Sequence, residues 1–221
     1  MTAPIDAPAA ADEQRLLDAV VALAPDLGWS AALKRAGAQI GLSAAAVDLL
    51  APGGPRDLAA LLSRRHDQET LAVLSAIDPK SLRMRERIIR AVETRVETAA
   101  KSPSATRRLC GFLALPSNAL LGLRLAWETA DGLWRWAGDV ATDENHYSKR
   151  AILGAILLGA LPIRLANGRE AASLFVHGRV ANVMSYEAWK AGLPKANLGV
   201  GLAQMLGRLR YGANALKPPS S

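Results

Sequence analysis

The sequence predicts an all-α protein of about ten helices, with a small helix-turn-helix-like subdomain ahead of a larger helical body. Three observations carry this expectation. Alanine and leucine dominate the apolar half of the 221-residue chain, a mix that favours helix over strand. Apolar residues recur at spacings of three and four, and alternating β-branched runs are absent. Proline- and glycine-containing breaks cut the chain into segments of helical length.

Residues 1–11 are rich in alanine and proline and are expected to be unstructured. Residues 12–63 form the first subdomain. Glu13–Ala24 reads as a helix, with Leu16, Leu17, Val20, Val21 and Leu23 along one side and Pro25 as its stop. Trp29–Gly37 is a short helix with Ser30 as its N-cap, and Ser43–Leu50 a second one capped by Ser43. Between them lies the turn at Gly41. Pro55 then starts a longer helix to about Ala76.

Two short helices joined by a glycine turn, after a longer helix, make a helix-turn-helix pattern. The spacing resembles the N-terminal domain of tetracycline-repressor-type (TetR-like) regulators. A DNA reader needs Arg, Lys, Asn or Gln at the start of the second short helix. Here that helix reads Ala44, Ala45, Ala46, Val47, Asp48, Leu49, Leu50. Residues 1–63 also carry four basic against seven acidic side chains, the wrong sign for phosphate. No nucleic-acid partner is expected, and the pattern reads as scaffold. A ligand-responsive TetR-type transcriptional regulator is the alternative.

Residues 64–192 make the larger body. After Asp78-Pro79, Ser81–Ala100 is an amphipathic helix with Met84, Ile88, Val92 and Val96 on one side and Arg83, Arg87 and Arg90 on another. Residues 80–108 hold nine basic and three acidic side chains, either a solvated face or contact with an acidic partner or anionic lipid. Ser104–Leu115 is short and stops at Pro116. Ser117–Gly138 follows, with Arg124, Glu128, Asp131 and Arg135 as one narrow stripe whose charges can pair internally. Leu120, Leu123, Trp127, Ala130 and Trp134 form a separate apolar stripe.

Beyond a polar turn, capped by Thr142 or Asp143, the next helix opens with Asn145, His146, Tyr147, Lys149 and Arg150 and becomes wholly apolar. Its small residues Ala151, Ala155 and Gly159 allow close helix approach, flanked by Ile152, Ile156 and Leu157. Such a helix is either buried on all sides or lines a cavity. The uninterrupted run Ala151–Ile163 is shorter than the roughly 20 residues a bilayer span needs. Asn167-Gly168 turns the chain into an amphipathic helix, Arg169–Lys190, with Leu174, Phe175 and Met184.

Residues 193–214 hold a last helix, Asn197–Ala213, before a tail at 215–221. Leu198, Leu202, Met205, Leu206 and Leu209 form its apolar stripe, with Lys195, Arg208, Arg210 and Lys217 around it. That stripe packs on its own domain, on a second subunit or on a membrane surface.

Catalytic chemistry is not visible. His66, His146 and His177 fall in three separate helical segments, and Asp143-x-x-His146 has no second copy to make a di-iron site. No phosphate loop, nucleophile elbow or zinc-protease motif is present. The single cysteine, Cys110, excludes an internal disulfide and reads as a packed thiol. No catalytic residue, metal or cofactor is expected. The N-terminus has neither a basic nor an apolar leader region, so no secretory signal or transit peptide is expected.

The segments Ala114–Asn118, Asp131–Asp139 (DGLWRWAGD) and Thr142–Arg150 (TDENHYSKR) together resemble the COQ-nine family of ubiquinone-biosynthesis accessory proteins. The resemblance is specific over about fifty residues and extends over most of 12–214, since that family has a repressor-like fold. It implies a non-enzymatic, homodimeric lipid-binding protein that holds an isoprenoid or quinone intermediate in an apolar pocket. The pocket would be lined by Leu120, Leu123, Trp127, Ala130, Trp134, Ile152, Ile156, Leu174, Phe175 and Met184. It further implies presentation of that lipid to a di-iron hydroxylase, docked around Asp139, Asp143, Asn145, His146, Tyr147 and Arg150. Better-known eukaryotic members carry tryptophan where this chain has His146. The last helix would touch the membrane through Leu198, Leu202, Met205, Leu206 and Leu209. A bacterial cytoplasmic protein, peripheral to the inner face of the cell membrane, is the expected setting.

Overall fold

The computed structural model describes residues 7–139 and 144–191, with side chains from 9 to 139 and from 146 to 182. Among the described residues there are eight α-helices, one short 3-10 turn and no strand. They are α1 (Ala7–Leu27), α2 (Trp29–Gln39), α3 (Ala44–Leu50), α4 (Pro55–Leu74), the 3-10 turn Pro79–Ser81, α5 (Met84–Ala99), α6 (Pro103–Ala114), α7 (Ala119–Trp136) and α8 (Glu144–Ala191). The order is TetR-like, three helices with a helix-turn-helix followed by a larger helical body. The chain divides after Val180 into two compact units.

The first unit contains two apolar cores. One joins α1 to α4 and α6 through Leu16, Leu17, Val20, Trp29, Leu33, Val47, Leu58, Leu62 and Leu109. The Trp29 indole N–H donates to the Pro55 carbonyl at 2.8 Å, so the buried ring leaves no orphan donor. The second core joins α4, α5, α7 and α8 through Leu74, Ile88, Val92, Val96, Leu133, Leu153, Ile156 and Val176. α4 serves both cores, so the subdomain boundary expected at residue 63 falls inside a continuous helix.

Local chemistry explains the helix ends. Ser43 caps α3 as expected, its hydroxyl accepting from the Ala46 N–H at 3.2 Å. Ser30 does not cap α2. The residue before Trp29 is Gly28 at φ 79°, which reverses the chain tightly enough that α2 starts without a side-chain cap. Pro25 does not stop α1 either. It lies in the last turn, where one lost backbone bond is tolerated, and the helix runs on to Leu27. Residues 7–11, expected to be unstructured, form the start of α1.

α8 is two arms broken at Gly168, whose φ of 90° and ψ of −179° only glycine adopts readily. The chain folds back there. A Cβ on Gly159 would stand 2.7 Å from the Phe175 ring, and Val176 and Val180 share a core with Leu153 and Leu157. Glu97 on α5 fastens both sides of the break, accepting from Arg164 at 2.6 and 3.0 Å and from Arg169 at 2.9 Å. Ala151 and Ala155 are exposed, so of the predicted small-residue seam Gly159 alone meets another arm. Gly154 makes the close approach to α7, against the Ala126 backbone at 3.6 Å. By length and composition, the stretch His146–Asn182 is long and apolar enough to cross a membrane. The predicted last helix, with Leu198, Leu202, Met205, Leu206 and Leu209, lies outside the described residues.

Candidate functional site

A cavity of about 420 Å³ opens among α4, α5, α6, α7 and the first arm of α8. That volume lies within the range of small-molecule sites. Its outer part is lined by Leu113, Ala114, Ala119, Gly122, Leu123, Leu158, Leu161 and Pro162. Several of these face solvent: Leu123 is 57% exposed and Leu158 48%. Leu115 and Leu120, the chain neighbours of the lining residues Ala114 and Ala119, are exposed as well.

The inner end is different. Ser63, His66, Arg95, Thr106 and Thr129 line it together with Val96, Ala99, Leu109, Leu125 and Leu157, all buried. Arg95 bonds the Asp67 carboxylate at 2.6 Å and Ser63 at 3.3 Å, and Thr129 donates to the same carboxylate at 2.9 Å. Thr106 is satisfied by the Ala99 carbonyl at 2.6 Å. Burial, with Arg95, Arg65 and Lys101 nearby, pulls the His66 imidazole down to about 3, so the ring is neutral at pH 7. Cys110 also lines the cavity, and burial raises its thiol above the ordinary range.

Of the ten residues expected around a lipid, nine have described side chains, and among these only Leu123 lines this cavity. Ala130, Trp134, Ile152, Ile156 and Phe175 belong to the second core instead. Leu120 and Leu174 point to solvent, 82% and 76% exposed, and the Met184 side chain lies outside the described residues. Trp127 packs against Tyr147 with ring centroids 6.1 Å apart. Helical periodicity identified these faces as apolar but not what covers each. The missed residue is His66. It continues the buried row Leu58, Leu62, His66, Thr70 at spacings of four, and a polar side chain on a buried row was the available signal.

The polar corner between α7 and α8 also differs from a simple exposed patch. The Arg150 side chain is 2% exposed. It donates to Asp131 at 2.6 Å, to Asp139 at 3.2 Å and to the His146 carbonyl at 3.1 Å. Asp139 is 5% exposed and also accepts from Lys149 at 2.7 Å. Burial alone would raise the Asp139 carboxyl, but the bonds from Lys149 and Arg150 outweigh it and hold the group below its ordinary range. Asp139 and Arg150 therefore fix the corner from within rather than face outward. Tyr147, 65% exposed, and His146, edge-on to it at 5.2 Å, are the rings presented there. Asp143 and the Asn145 side chain lie outside the described residues. The predicted pairings on α7 form, Arg124 with Glu128 at 3.5 Å and Asp131 with Arg135 at 2.7 Å.

These features define a TetR-like helical protein whose body encloses an apolar cavity and whose second helix-turn-helix segment, α3, offers no basic side chain. Residues 119–187 match the sequence profile of the COQ9 family. The mitochondrial ubiquinone biosynthesis protein COQ9 of Rattus norvegicus is 31% identical over 151 residues, covering 65% of this chain and 48% of the rat protein. The Homo sapiens protein of that name is 30% identical over 151 residues, with the same coverage. COQ9-B of Xenopus laevis is 30% identical over 156 residues, 65% of this chain and 52% of its own length. Residues 119–187 are thus similar to the COQ9 family, and the chain spans about half the length of the curated relatives it matches. Among the described residues no group of three His, Cys, Asp or Glu side chains could hold a metal ion.

Proposed function

We propose that the protein is a non-enzymatic, lipid-binding accessory factor of ubiquinone biosynthesis. It takes an isoprenoid or quinone intermediate into the cavity and presents it to a di-iron hydroxylase. The observation that carries this reading is the cavity itself, buried and open at a mouth rimmed by exposed leucines. A mouth of that kind passes an apolar chain from a membrane without exposing it to water. The relatives' designation as ubiquinone biosynthesis proteins supplies the pathway. Tyr147 and His146 are the side chains offered to the hydroxylase, on a corner shaped by Asp139 and Arg150. Asp143 and Asn145 are assigned to the same partner-binding surface. Leu198, Leu202, Met205, Leu206 and Leu209 contact the inner face of a bacterial membrane, and the protein works as a homodimer.

Lipid extraction and native mass spectrometry of the purified 221-residue chain test the reading. A co-purifying isoprenoid or phospholipid is the expected result. A protein that carries no lipid and takes up none from vesicles would refute it.

A further inference from the structure

The cavity is lined mostly by apolar side chains, but Ser63, His66, Arg95, Thr106 and Thr129 set a group of buried polar ones away from its exposed rim. Thr129 at the inner end and Ala119 at the rim are ten residues apart on α7, and Thr106 and Ala114 eight apart on α6. At the helical rise per residue, the two ends are roughly 12–15 Å apart. A cavity that only shelters a hydrocarbon tail has no need of polar side chains in its lining, because burying polar groups costs free energy.

One of these polar groups is unused. His66 is 8% exposed, and among the described residues its imidazole makes no hydrogen bond. Its ring lines the apolar cavity on one side and a second, polar pocket bounded by Asp18, Glu69 and Lys101 on the other. The neighbouring Ser63, Arg95, Thr106 and Thr129 are bonded to one another or to protein partners.

Resting on the lipid-binding reading above, we infer that the ligand enters ring first. An uncharged ring bearing a hydroxyl or carbonyl oxygen, a phenol or quinone, hydrogen-bonds His66 at the floor, and its tail leaves between Leu113, Leu123 and Leu158. A neutral imidazole offers one N–H donor and one bare nitrogen, so it serves either oxygen. An anionic headgroup is not served. Each nearby cation is already paired: Arg95 with Asp67, Arg65 with Asp18 and Lys101 with Glu69. The cavity volume of about 420 Å³ holds a ring and the first part of a tail, while a longer tail continues over the exposed leucines at the rim.

Calorimetric titration in a fixed nonionic detergent tests this with two probes of one shape, 4-geranylphenol and geranylbenzene, which differ by one hydroxyl. The wild-type chain and the variants His66→Leu and His66→Gln are compared. In His66→Leu the preference for the phenol over geranylbenzene should fall about five- to tenfold, the worth of one buried hydrogen bond. Geranylbenzene binding should persist, and His66→Gln should keep part of the preference. If both probes bind and the preference is the same in wild type and His66→Leu, ring-first entry is overturned while lipid binding stands. If neither probe binds the wild type, the lipid-binding reading fails and takes this inference with it.

Discussion

Replacing Arg150 by methionine should destabilise the fold rather than merely roughen a docking surface. The guanidinium is 2% exposed and donates to Asp131, Asp139 and the His146 carbonyl. Methionine fills much of the same volume but leaves those acceptors short. Among the described residues, Asp139, itself 5% exposed, keeps only Lys149, and Asp131 keeps only the mostly exposed Arg135. Breaking a buried ion pair by removing one partner costs about 3–5 kcal/mol, and the retained partners put this case at the low end, about 3 kcal/mol. For a domain of this size that is a fall in Tm of about 6–12 °C. Urea unfolding followed by tryptophan fluorescence measures it. Adding Asp139→Asn to the variant should recover part of the loss, because an uncharged amide no longer needs the cation. A loss below about 1 kcal/mol, or one that Asp139→Asn leaves unchanged, would refute the argument.

Two further substitutions probe the break in α8. The bonds from Arg164, with those from Arg169, hold the Glu97 carboxyl at about 2, against an ordinary value of 4.5, despite the opposing effect of burial. A depressed carboxyl stabilises the fold above about pH 4.5, and that contribution is lost as pH falls towards 2. Glu97→Gln should therefore cost about 1–2 kcal/mol at pH 7 after solvent screening, and denaturant midpoints of variant and wild type should converge below pH 4. Gly168→Ala meets no atom within 4 Å, so its cost is purely conformational. Placing a Cβ at φ 90° and ψ −179° should remove about 1–3 kcal/mol in thermal unfolding, and an unchanged Tm would contradict the fold-back geometry.

What the sequence disclosed follows the range of the forces involved. Ser43 as a cap, Pro55 at the start of α4 and the Arg124–Glu128 and Asp131–Arg135 pairs depend on neighbours within a turn, and the spacing alone identified them. Gly168 was legible for the same reason, as a turn residue between two apolar segments. The cavity was not. Its floor brings His66 of α4, Arg95 of α5 and Thr129 of α7 together through contacts remote in sequence. Leu120 and Leu123 share one apolar stripe, yet the first faces solvent and the second rims the cavity. Periodicity distinguishes faces and carries no information about what lies opposite them. Arg150 was read as surface because a charged side chain usually is, and its burial depends on Asp131 and Asp139 arriving from α7 and the residues just after it.

Cys110, the single cysteine of the chain, lines the cavity and so reports on its contents. The direct test of the account is the rate of Cys110 alkylation by N-ethylmaleimide in delipidated protein, with and without geranylgeraniol in nonionic detergent. Lipid in the cavity should slow the reaction about tenfold when its concentration is ten times its dissociation constant, since only the empty form reacts. An alkylation rate unchanged at saturating lipid would show that the cavity beside Cys110 is not where the lipid goes.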